Sequence, residues 1–171
     1  MYIALLKRGK KVIKKQPLVI HGLSGVGKTY CVKNFAQENF EKVFYFNCKT
    51  EKKLLKLFAR SLEPTVLIDK LNKYTQDFID DENSILIFDD LDGVDKIIQA
   101  LRHFSDDRPK LCIIAIVKDL SPRCFNKTLC SLDKVQTLKL YPLTFIEFLY
   151  SIGQESLTAY LKDIKKDKKF R

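Results

Sequence analysis

The sequence predicts an α/β fold in which helices cover both faces of a parallel β-sheet. Short apolar runs rich in β-branched and aromatic residues alternate along the chain with longer segments of helical periodicity. Several of these runs are apolar at consecutive positions, as strands buried on both faces are. The chain has 171 residues, 46% of them hydrophobic, which is enough for one core of ordinary size. We therefore expect a single domain over residues 1–171.

Five segments are predicted as strands of this sheet. Each is short, rich in apolar residues and bounded by polar or turn-forming residues. The fifth segment (KVQTLKLY) alternates between apolar and polar positions, whereas the others are nearly continuous in apolar residues. The predicted strands cover residues 17–21, 43–47, 84–88, 111–117 and 134–141.

The segments between and after the strands predict helices. They cover residues 28–39, 51–62, 63–80, 94–104, 144–151 and 154–165. In the first helix, apolar residues recur at roughly the spacing of one helical face. That face consists of Tyr30, Val32, Phe35 and Ala36.

The first predicted strand runs directly into a glycine-rich loop. The loop matches G-x-x-x-x-G-K-[ST] and consists of Gly22, Leu23, Ser24, Gly25, Val26, Gly27, Lys28 and Thr29. Glycines let the backbone turn its N–H groups toward a diphosphate, and the following helix points its positive end at the same phosphates. Lys28, expected as a surface ligand, can reach the β- and γ-phosphates, and the Thr29 hydroxyl can bind Mg²⁺. We predict a nucleotide site formed by this loop and Tyr30, with Lys28 also acting in catalysis.

The third predicted strand ends in two carboxylates. Asp89 lies at the carboxyl edge of the sheet, where ligands of open α/β sheets bind. A carboxylate there can hold Mg²⁺ opposite Thr29, as a Walker B aspartate does, so Thr29 and Asp89 are the predicted metal-binding residues. Asp90 is predicted as the catalytic carboxylate that orients the attacking water. The alternative is an acidic loop that caps the next helix, the role we expect for Asp92 and Asp95.

The order of the motifs refines the fold class. One strand-helix unit, residues 43–62, lies between the glycine loop and the strand that ends at Asp89, and another apolar strand follows. This order suits the branch of P-loop NTPases in which a further strand separates these two strands in the sheet. We therefore predict a P-loop NTPase three-layer αβα sandwich whose parallel five-stranded sheet has the order 5-1-4-3-2.

The net charge of +10 resides in the two ends of the chain. Residues 1–15 carry six basic and no acidic side chains, and residues 162–171 carry six basic and two acidic ones. Residues 16–161 hold 19 of each sign and are neutral. A basic tail can bind phosphate backbones, so nucleic acid is one candidate partner. The alternative is a solvated helix or a linker.

The cysteines and the hydropathy pattern indicate the compartment. No apolar run reaches the length of about 18 residues that a spanning helix needs. The five cysteines form no C-x-x-C pair, and we expect reduced thiols and no zinc site. They are Cys31, Cys48, Cys112, Cys124 and Cys130. These features favour a cytoplasmic protein without a membrane partner.

With these motifs, the chain resembles the bacterial and archaeal AAA-family ATPases that carry a C-terminal domain of unknown function after the ATPase module. The resemblance rests on PLVIHGLSGVGKTYCVKNFA (17–36), ILIFDDLD (85–92) and LKLYPLTFIEFLYSIG (138–153). The last segment is close to the family pattern L-x-L-x-P-L-S-F-x-E-F-L. Thr144 replaces Ser as the predicted N-cap, and Glu147 lies in capping-box position.

The resemblance extends over residues from about 16 to 160 and implies ATP or ADP with Mg²⁺ as the ligand. It also implies a longer protein in which this chain is the ATPase module, with further C-terminal domains or a homo-oligomer as partners.

Two departures from the family pattern concern turnover. Relatives usually have Asp-Glu where this chain has Asp89-Asp90, so the water-orienting carboxylate is one methylene shorter. They tend to have Gly-Ser where this chain has Val117-Lys118, and Lys118 either contacts the γ-phosphate or turns to solvent. Arg123 is the best candidate for a trans-acting arginine finger.

Three functions remain open at this point. The first is an ATP-binding module that hydrolyses ATP weakly and regulates a larger protein. The second is a nucleotide-gated switch that holds ATP or ADP without significant turnover. The third is a nucleic-acid-associated ATPase that uses the basic ends.

Overall fold

A computed structural model describes residues 16–91, 95–118 and 134–167 of the chain. Its strands form one five-stranded sheet and are β1 (Leu18–His21), β2 (Lys42–Asn47), β3 (Ser84–Asp89), β4 (Cys112–Val117) and β5 (Gln136–Lys139). The helices of the described residues are α1 (Lys28–Asn39), α2 (Lys52–Arg60), α3 (Pro64–Thr75), α4 (Asp95–Asp107), α5 (Phe145–Ser151) and α6 (Glu155–Asp167).

The strand order across the sheet is β2-β3-β4-β1-β5, and all the pairings are parallel. Read from the opposite edge this is 5-1-4-3-2, so the predicted order and fold class are confirmed. Because parallel strands all end at the same edge, the loop after β1 meets the ends of β3 and β4 there. The topology therefore brings the glycine loop and the Asp89 carboxylate to one place.

Alternate side chains of the strands enter two cores, one on each face of the sheet. In β3, Ile85 and Ile87 pack on the side of α1, whereas Leu86 and Phe88 pack on the side of α2, α3 and α4. Every residue of β3 and β4 is buried, as expected for strands that helices cover on both faces. This gives the three layers of the predicted sandwich.

Three of the four residues that suggested a helical face in α1 are buried in the core. Val32, Phe35 and Ala36 are fully buried, but Tyr30 is 69% exposed. Tyr30 lies in the first turn of the helix, at the edge of the sheet, and there it lines the cavity described below. Tyr30 therefore lies at the predicted nucleotide site and not in the core.

Among the elements that are shorter than predicted, α3 and β5 differ most from the prediction. α3 ends at Thr75 because the next residue, Gln76, has a left-handed backbone conformation (φ 56°) that interrupts the helical path. Among the described strands β5 pairs with β1 alone, and its side chains alternate between half-buried and exposed positions. Leu140 extends this pairing by donating its N–H to the carbonyl oxygen of His21 at 2.7 Å.

Residues Tyr141–Arg171 form a second compact unit, in which α5 contacts α6. α5 begins with the predicted capping box: the Thr144 N–H donates to Glu147 Oε2 (2.9 Å), and the Glu147 N–H donates to Thr144 Oγ1 (3.3 Å). The prediction that residues 1–171 form one domain stays a prediction. Among the described helices, none is both long and apolar enough to cross a lipid bilayer.

Several sequence-based expectations concern residues outside the described ranges. These include the basic segment 1–15, the helix-capping role of Asp92 and the candidate arginine finger Arg123. Cys124 and Cys130 also lie outside the described residues. Of the other three thiols, Cys48 and Cys112 are buried and Cys31 is half-buried.

Candidate nucleotide site

The glycine loop joins β1 to α1 through a backbone that only glycine adopts easily. Gly27 is the N-cap of α1 and has a left-handed conformation (φ 88°), which turns the chain into the helix. Gly22 has φ 150°, and a Cβ at this position would lie 2.2 Å from the carbonyl oxygen of Leu140. The start of the loop therefore touches the end of β5 so closely that no side chain fits between them.

Lys28 is buried at the start of α1, with 7% of its surface exposed. Its Nζ donates to the carbonyl oxygens of Gly22 (2.6 Å) and Leu23 (2.7 Å). The ammonium group thus lies within the curve of the loop, where a phosphate group would meet it. The expectation that Lys28 is a surface side chain is wrong. The loop surrounds Lys28, and the loop carbonyls of Gly22 and Leu23 accept its hydrogen bonds.

Asp89 is buried at the end of β3, and its carboxylate accepts three hydrogen bonds. Thr29 Oγ1 (2.7 Å) and the Tyr45 hydroxyl (2.8 Å) both donate to Oδ2. The backbone N–H of Asp90 donates to Oδ1 (2.8 Å). The two residues predicted to bind the metal, Thr29 and Asp89, are therefore in direct contact.

Tyr45 comes from β2 and is the second side chain that fixes Asp89. Its burial, together with the hydrogen bond to Asp89, raises the pKa of Tyr45 to about 12, so the phenol remains a donor at neutral pH. The Nζ of Lys33, on α1, lies 3.6 Å from the centroid of the Tyr45 ring. This cation–π contact joins β2 to α1 beside the site.

Asp90 directly follows β3 in a left-handed backbone conformation (φ 54°). Such a conformation costs a non-glycine residue about 1–2 kcal/mol. The Asp90 carboxylate forms an ion pair with Lys118 Nζ (Oδ1, 3.1 Å) and accepts a hydrogen bond from Asn47 Nδ2 (Oδ2, 3.4 Å). Lys118 therefore lies at the site and pairs with the predicted catalytic carboxylate.

These residues surround a cavity of about 310 Å³ at the carboxyl edge of the sheet. This volume is at the lower end of the range of about 300–1,000 Å³ for small-molecule sites. The predicted site residues that line the cavity are Ser24, Gly25, Gly27, Lys28, Thr29, Tyr30, Asp89 and Asp90. β4 and the residue after it add Ile116, Val117 and Lys118.

Three predicted site residues contribute in other ways. The carbonyl oxygens of Gly22 and Leu23 accept the hydrogen bonds of Lys28. Val26 packs against the core on the α1 side of the sheet and anchors the loop.

Tyr45 and Asn47 contact the carboxylates of the site, although no sequence motif includes them. Both lie in β2, and Asn47 pairs in register with Asp89 of β3. Tyr45 is two residues earlier, so it is on the same face of the strand as Asn47. The only signal in the sequence was these two polar groups at alternate positions of an otherwise apolar strand.

The donor atoms of the site fit a magnesium ion. Mg²⁺ prefers oxygen ligands, and Thr29 and Asp89 present a hydroxyl and a carboxylate side by side. Because Thr29 donates its proton to Asp89, the lone pairs of its oxygen remain for a cation. The site therefore combines an ammonium group, Lys28, with a pair of oxygen ligands suited to a metal.

Comparison with protein families and curated proteins gives one match. A family model described as an AAA domain matches residues 14–149. No curated protein matches the chain.

Solved structures share the fold at low sequence identity. The structure of C. elegans PCH-2 matches with 14% identity and a TM-score of 0.53, over 94% of this chain and 47% of that one. Drosophila ORC bound to DNA matches with 18% identity and a TM-score of 0.56, over 96% and 49%. Drosophila ORC bound to AT-rich DNA and Cdc6 matches with 17% identity and a TM-score of 0.52, over 84% and 56%. The chain thus spans about half the length of each of these relatives.

Proposed function

Because the chain belongs to the AAA-domain family, we propose that it binds ATP and ADP with Mg²⁺ and hydrolyses ATP weakly. It would do so as the nucleotide-dependent regulatory module of a longer, cytoplasmic protein. The observation that carries the proposal is the contact between Thr29 and Asp89 at 2.7 Å, beside Lys28 and the glycine loop. A glycine turn with a purely structural role would not require a lysine, a hydroxyl and a carboxylate together at the edge of the sheet.

In the proposed reaction each group of the loop has one task. The backbone N–H groups of residues 22–29 and the N-terminus of α1 face the phosphates. Lys28 supplies a positive charge for the β- and γ-phosphates, and Thr29 and Asp89 hold Mg²⁺. The metal, when bound, neutralises charge that develops on the phosphate oxygens. Tyr30, exposed at the wall of the cavity, is available to contact the nucleotide.

Asp90 is the proposed residue that orients the attacking water. Its carboxylate is one methylene shorter than that of glutamate, and Lys118 and Asn47 already engage it. A misplacement of about 1 Å can reduce a rate roughly 100-fold. This is why we propose weak hydrolysis alongside firm nucleotide binding.

The binding proposal is tested by calorimetric titration of MgADP into the wild type and the Lys28→Ala variant. We expect Lys28→Ala to lose most of the affinity, because the variant lacks the one cation enclosed by the loop. Lys110→Ala is the matched control, since Lys110 is exposed and pairs with Glu82 outside the cavity. Equal ADP affinity in Lys28→Ala and wild type would refute the site assignment, provided that circular dichroism shows both proteins folded.

The catalytic proposal is tested by single-turnover hydrolysis. Asp90→Glu should raise turnover if the short side chain limits the geometry. Asp90→Asn should lower turnover and leave ATP affinity unchanged. If the unmodified chain hydrolyses ATP through many turnovers and Asp90→Asn has no effect, Asp90 is not the catalytic carboxylate. If no variant hydrolyses ATP, the chain is a nucleotide-gated switch.

A nucleic-acid-associated ATPase is the second candidate, favoured by the charge of the chain. The excess of positive charge resides in residues 1–15 and 162–171, whereas residues 16–161 are neutral. Two of the solved structures with this fold are of Drosophila ORC bound to DNA. Anisotropy titrations with labelled DNA at rising salt test this candidate. Affinity that falls steeply with salt, and is lost when the basic residues of segment 1–15 are replaced by glutamine, would support it.

A further inference from the structure

The strongest observation outside the predicted site residues is the contact between Tyr45 and Asp89. Tyr45 belongs to β2, which is an outer strand of the described sheet, and none of the sequence motifs includes it. Its hydroxyl lies 2.8 Å from Asp89 Oδ2, the oxygen that also accepts the hydrogen bond of Thr29. Tyr45 thus lies on the strand next to β3 and donates to the buried carboxylate at the end of β3, that of Asp89.

The three donors of Asp89 come from three different parts of the chain. Thr29 belongs to α1, Tyr45 to β2, and the third donor is the backbone N–H of Asp90. A carboxylate has about four positions at which it accepts hydrogen bonds or ligands, so these donors occupy most of them. Together they fix the plane of the carboxylate and leave one direction for a further ligand.

The ring of Tyr45 is itself held in place. Lys33 Nζ lies 3.6 Å from the ring centroid on one side, and the ring is partly buried against the core beneath α1. Because the ring is fixed, its hydroxyl donates to Asp89 from a fixed direction. A water molecule or a flexible side chain would not fix that direction. Groups that orient a metal ligand in this way typically change metal affinity 10–100-fold when they are removed.

We propose that Tyr45 is a positioning residue of the metal site, whose hydroxyl holds the Asp89 carboxylate in the orientation that binds Mg²⁺. This inference rests on the proposed function, in which Thr29 and Asp89 hold the metal of a bound nucleotide. Tyr45 acts through Asp89 and has no contact of its own with the reaction. Its removal should therefore weaken the contribution of Mg²⁺ to nucleotide binding rather than nucleotide binding itself.

The experiment measures the affinity of the non-hydrolysable analogue AMP-PNP, once with saturating Mg²⁺ and once with EDTA. The ratio of the two dissociation constants gives the coupling between metal and nucleotide. In Tyr45→Phe, which removes only the hydroxyl oxygen, we expect this ratio to fall about 10-fold. The affinity in EDTA should stay at the wild-type value, which a general loss of structure would not allow.

Tyr74→Phe is the matched control. The Tyr74 hydroxyl also donates to a carboxylate, Glu51 Oε2, at 2.8 Å, but Glu51, unlike Asp89, does not line the cavity. Its removal should leave the coupling ratio unchanged. A ratio in Tyr45→Phe equal to that of the wild type would overturn the positioning role and leave the proposed function intact. Failure of the wild type to bind AMP-PNP under either condition would overturn the proposed function and this inference with it.

Discussion

Charge is balanced among single residues at the carboxyl edge of the sheet. Lys28 and Lys118 face the same cavity as Asp89 and Asp90, so two cations oppose two carboxylates. Lys118 is paired with Asp90, whereas the contacts of Lys28 given above are to neutral carbonyl oxygens. The positive charges of Lys28 and Lys118 therefore lie at the same edge of the sheet as the two carboxylates.

The first prediction concerns Gly22. We expect Gly22→Ala to destabilise the fold and to abolish nucleotide binding, because the new Cβ would lie 2.2 Å from the backbone oxygen of Leu140. Gly153→Ala is the control: Gly153 also has a positive φ (77°), but its Cβ position meets no described atom within 4 Å beyond its neighbours along the chain. The control should cost only the backbone strain of about 1–2 kcal/mol. Urea denaturation measures both values, and an equal loss in the two variants would contradict the predicted clash.

The second prediction concerns the phenol of Tyr45. Its pKa of about 12 lies above the ordinary value of 10.0, so the folded protein binds this proton more tightly than the unfolded chain does. The associated stability should be fully present below about pH 10 and should be lost as the pH rises through about 12. A tyrosine ¹³C-ζ titration by NMR follows this group directly. Burial is the largest cause of the raised pKa and the hydrogen bond to Asp89 is the next, so in Asp89→Asn the Tyr45 pKa should fall only part of the way toward its ordinary value. An unchanged titration would show that Asp89 does not contribute.

At the scale of residues, the sequence predicted what depends on local spacing. Lys28 and Thr29 follow from the loop motif, and Asp89 follows from its place at the end of an apolar strand. Tyr45 could not be predicted, because its role depends on β2 lying beside β3, a contact between residues 44 positions apart. Asp90 was expected to orient the attacking water, and its pairing with Lys118 likewise depends on the neighbouring strand.

Among the helices, α5 has the best-defined beginning. Hydrogen bonds from the backbone and then the side chain of Thr144 lower the pKa of Glu147 below its ordinary value. The capping box therefore contributes stability above the unfolded pKa of Glu147, and this contribution is lost as the pH falls through the lowered folded value.

The third prediction is that Thr144→Ala raises the pKa of Glu147 toward its ordinary value and frays the first turn of α5. Removing the side chain deletes the acceptor for the Glu147 N–H and one of the two donors to the Glu147 carboxylate. A side-chain carboxyl titration by NMR reports the pKa, and backbone chemical shifts report the helix. Thr65→Ala serves as the control, since Thr65 lies in α3, away from α5, and its hydroxyl donates to the exposed Glu63. No change in Glu147 would mean that the capping box does not form in solution.

At the scale of elements, periodicity predicted every helix and strand of the described residues but not all of their ends. The helix predicted over 63–80 was too long because no glycine or proline marks its end. The helix ends before Gln76, whose left-handed backbone conformation could not be predicted from its residue type. The capping box of α5 was predicted correctly because both of its partners lie within four consecutive residues, from Thr144 to Glu147.

For the whole molecule, the sheet determines where stability is concentrated. β3 and β4 are buried at every position and lie inside the sheet, whereas β2 and β5 are the outermost strands that the structure describes. Of these two outer strands, β5 is the one whose side chains alternate regularly between half-buried and exposed positions. The two cores on the faces of β3 and β4 therefore make these strands the centre of the fold.

The fourth prediction is a gradient of amide hydrogen exchange across the sheet. Amides of β3 and β4 should exchange only through global unfolding, whereas those of β5 should exchange through smaller openings. Exchange measured by NMR at several urea concentrations separates the two mechanisms. Equal protection of β5 and β3 would contradict the gradient.

The close approach of Gly22 to Leu140 also bears on how related sequences are free to vary. The atom that excludes a side chain at position 22 is a backbone oxygen, which every amino acid at position 140 possesses. Exchanging Leu140 for another residue leaves that oxygen in place, so no compensating pair of substitutions relieves the crowding. Statistical covariation between positions 22 and 140 would therefore not reveal this contact, although it joins the start of the glycine loop to the end of β5. Only a shift in the register of β5 would release Gly22, and such a shift would move every side chain of that strand to the opposite face.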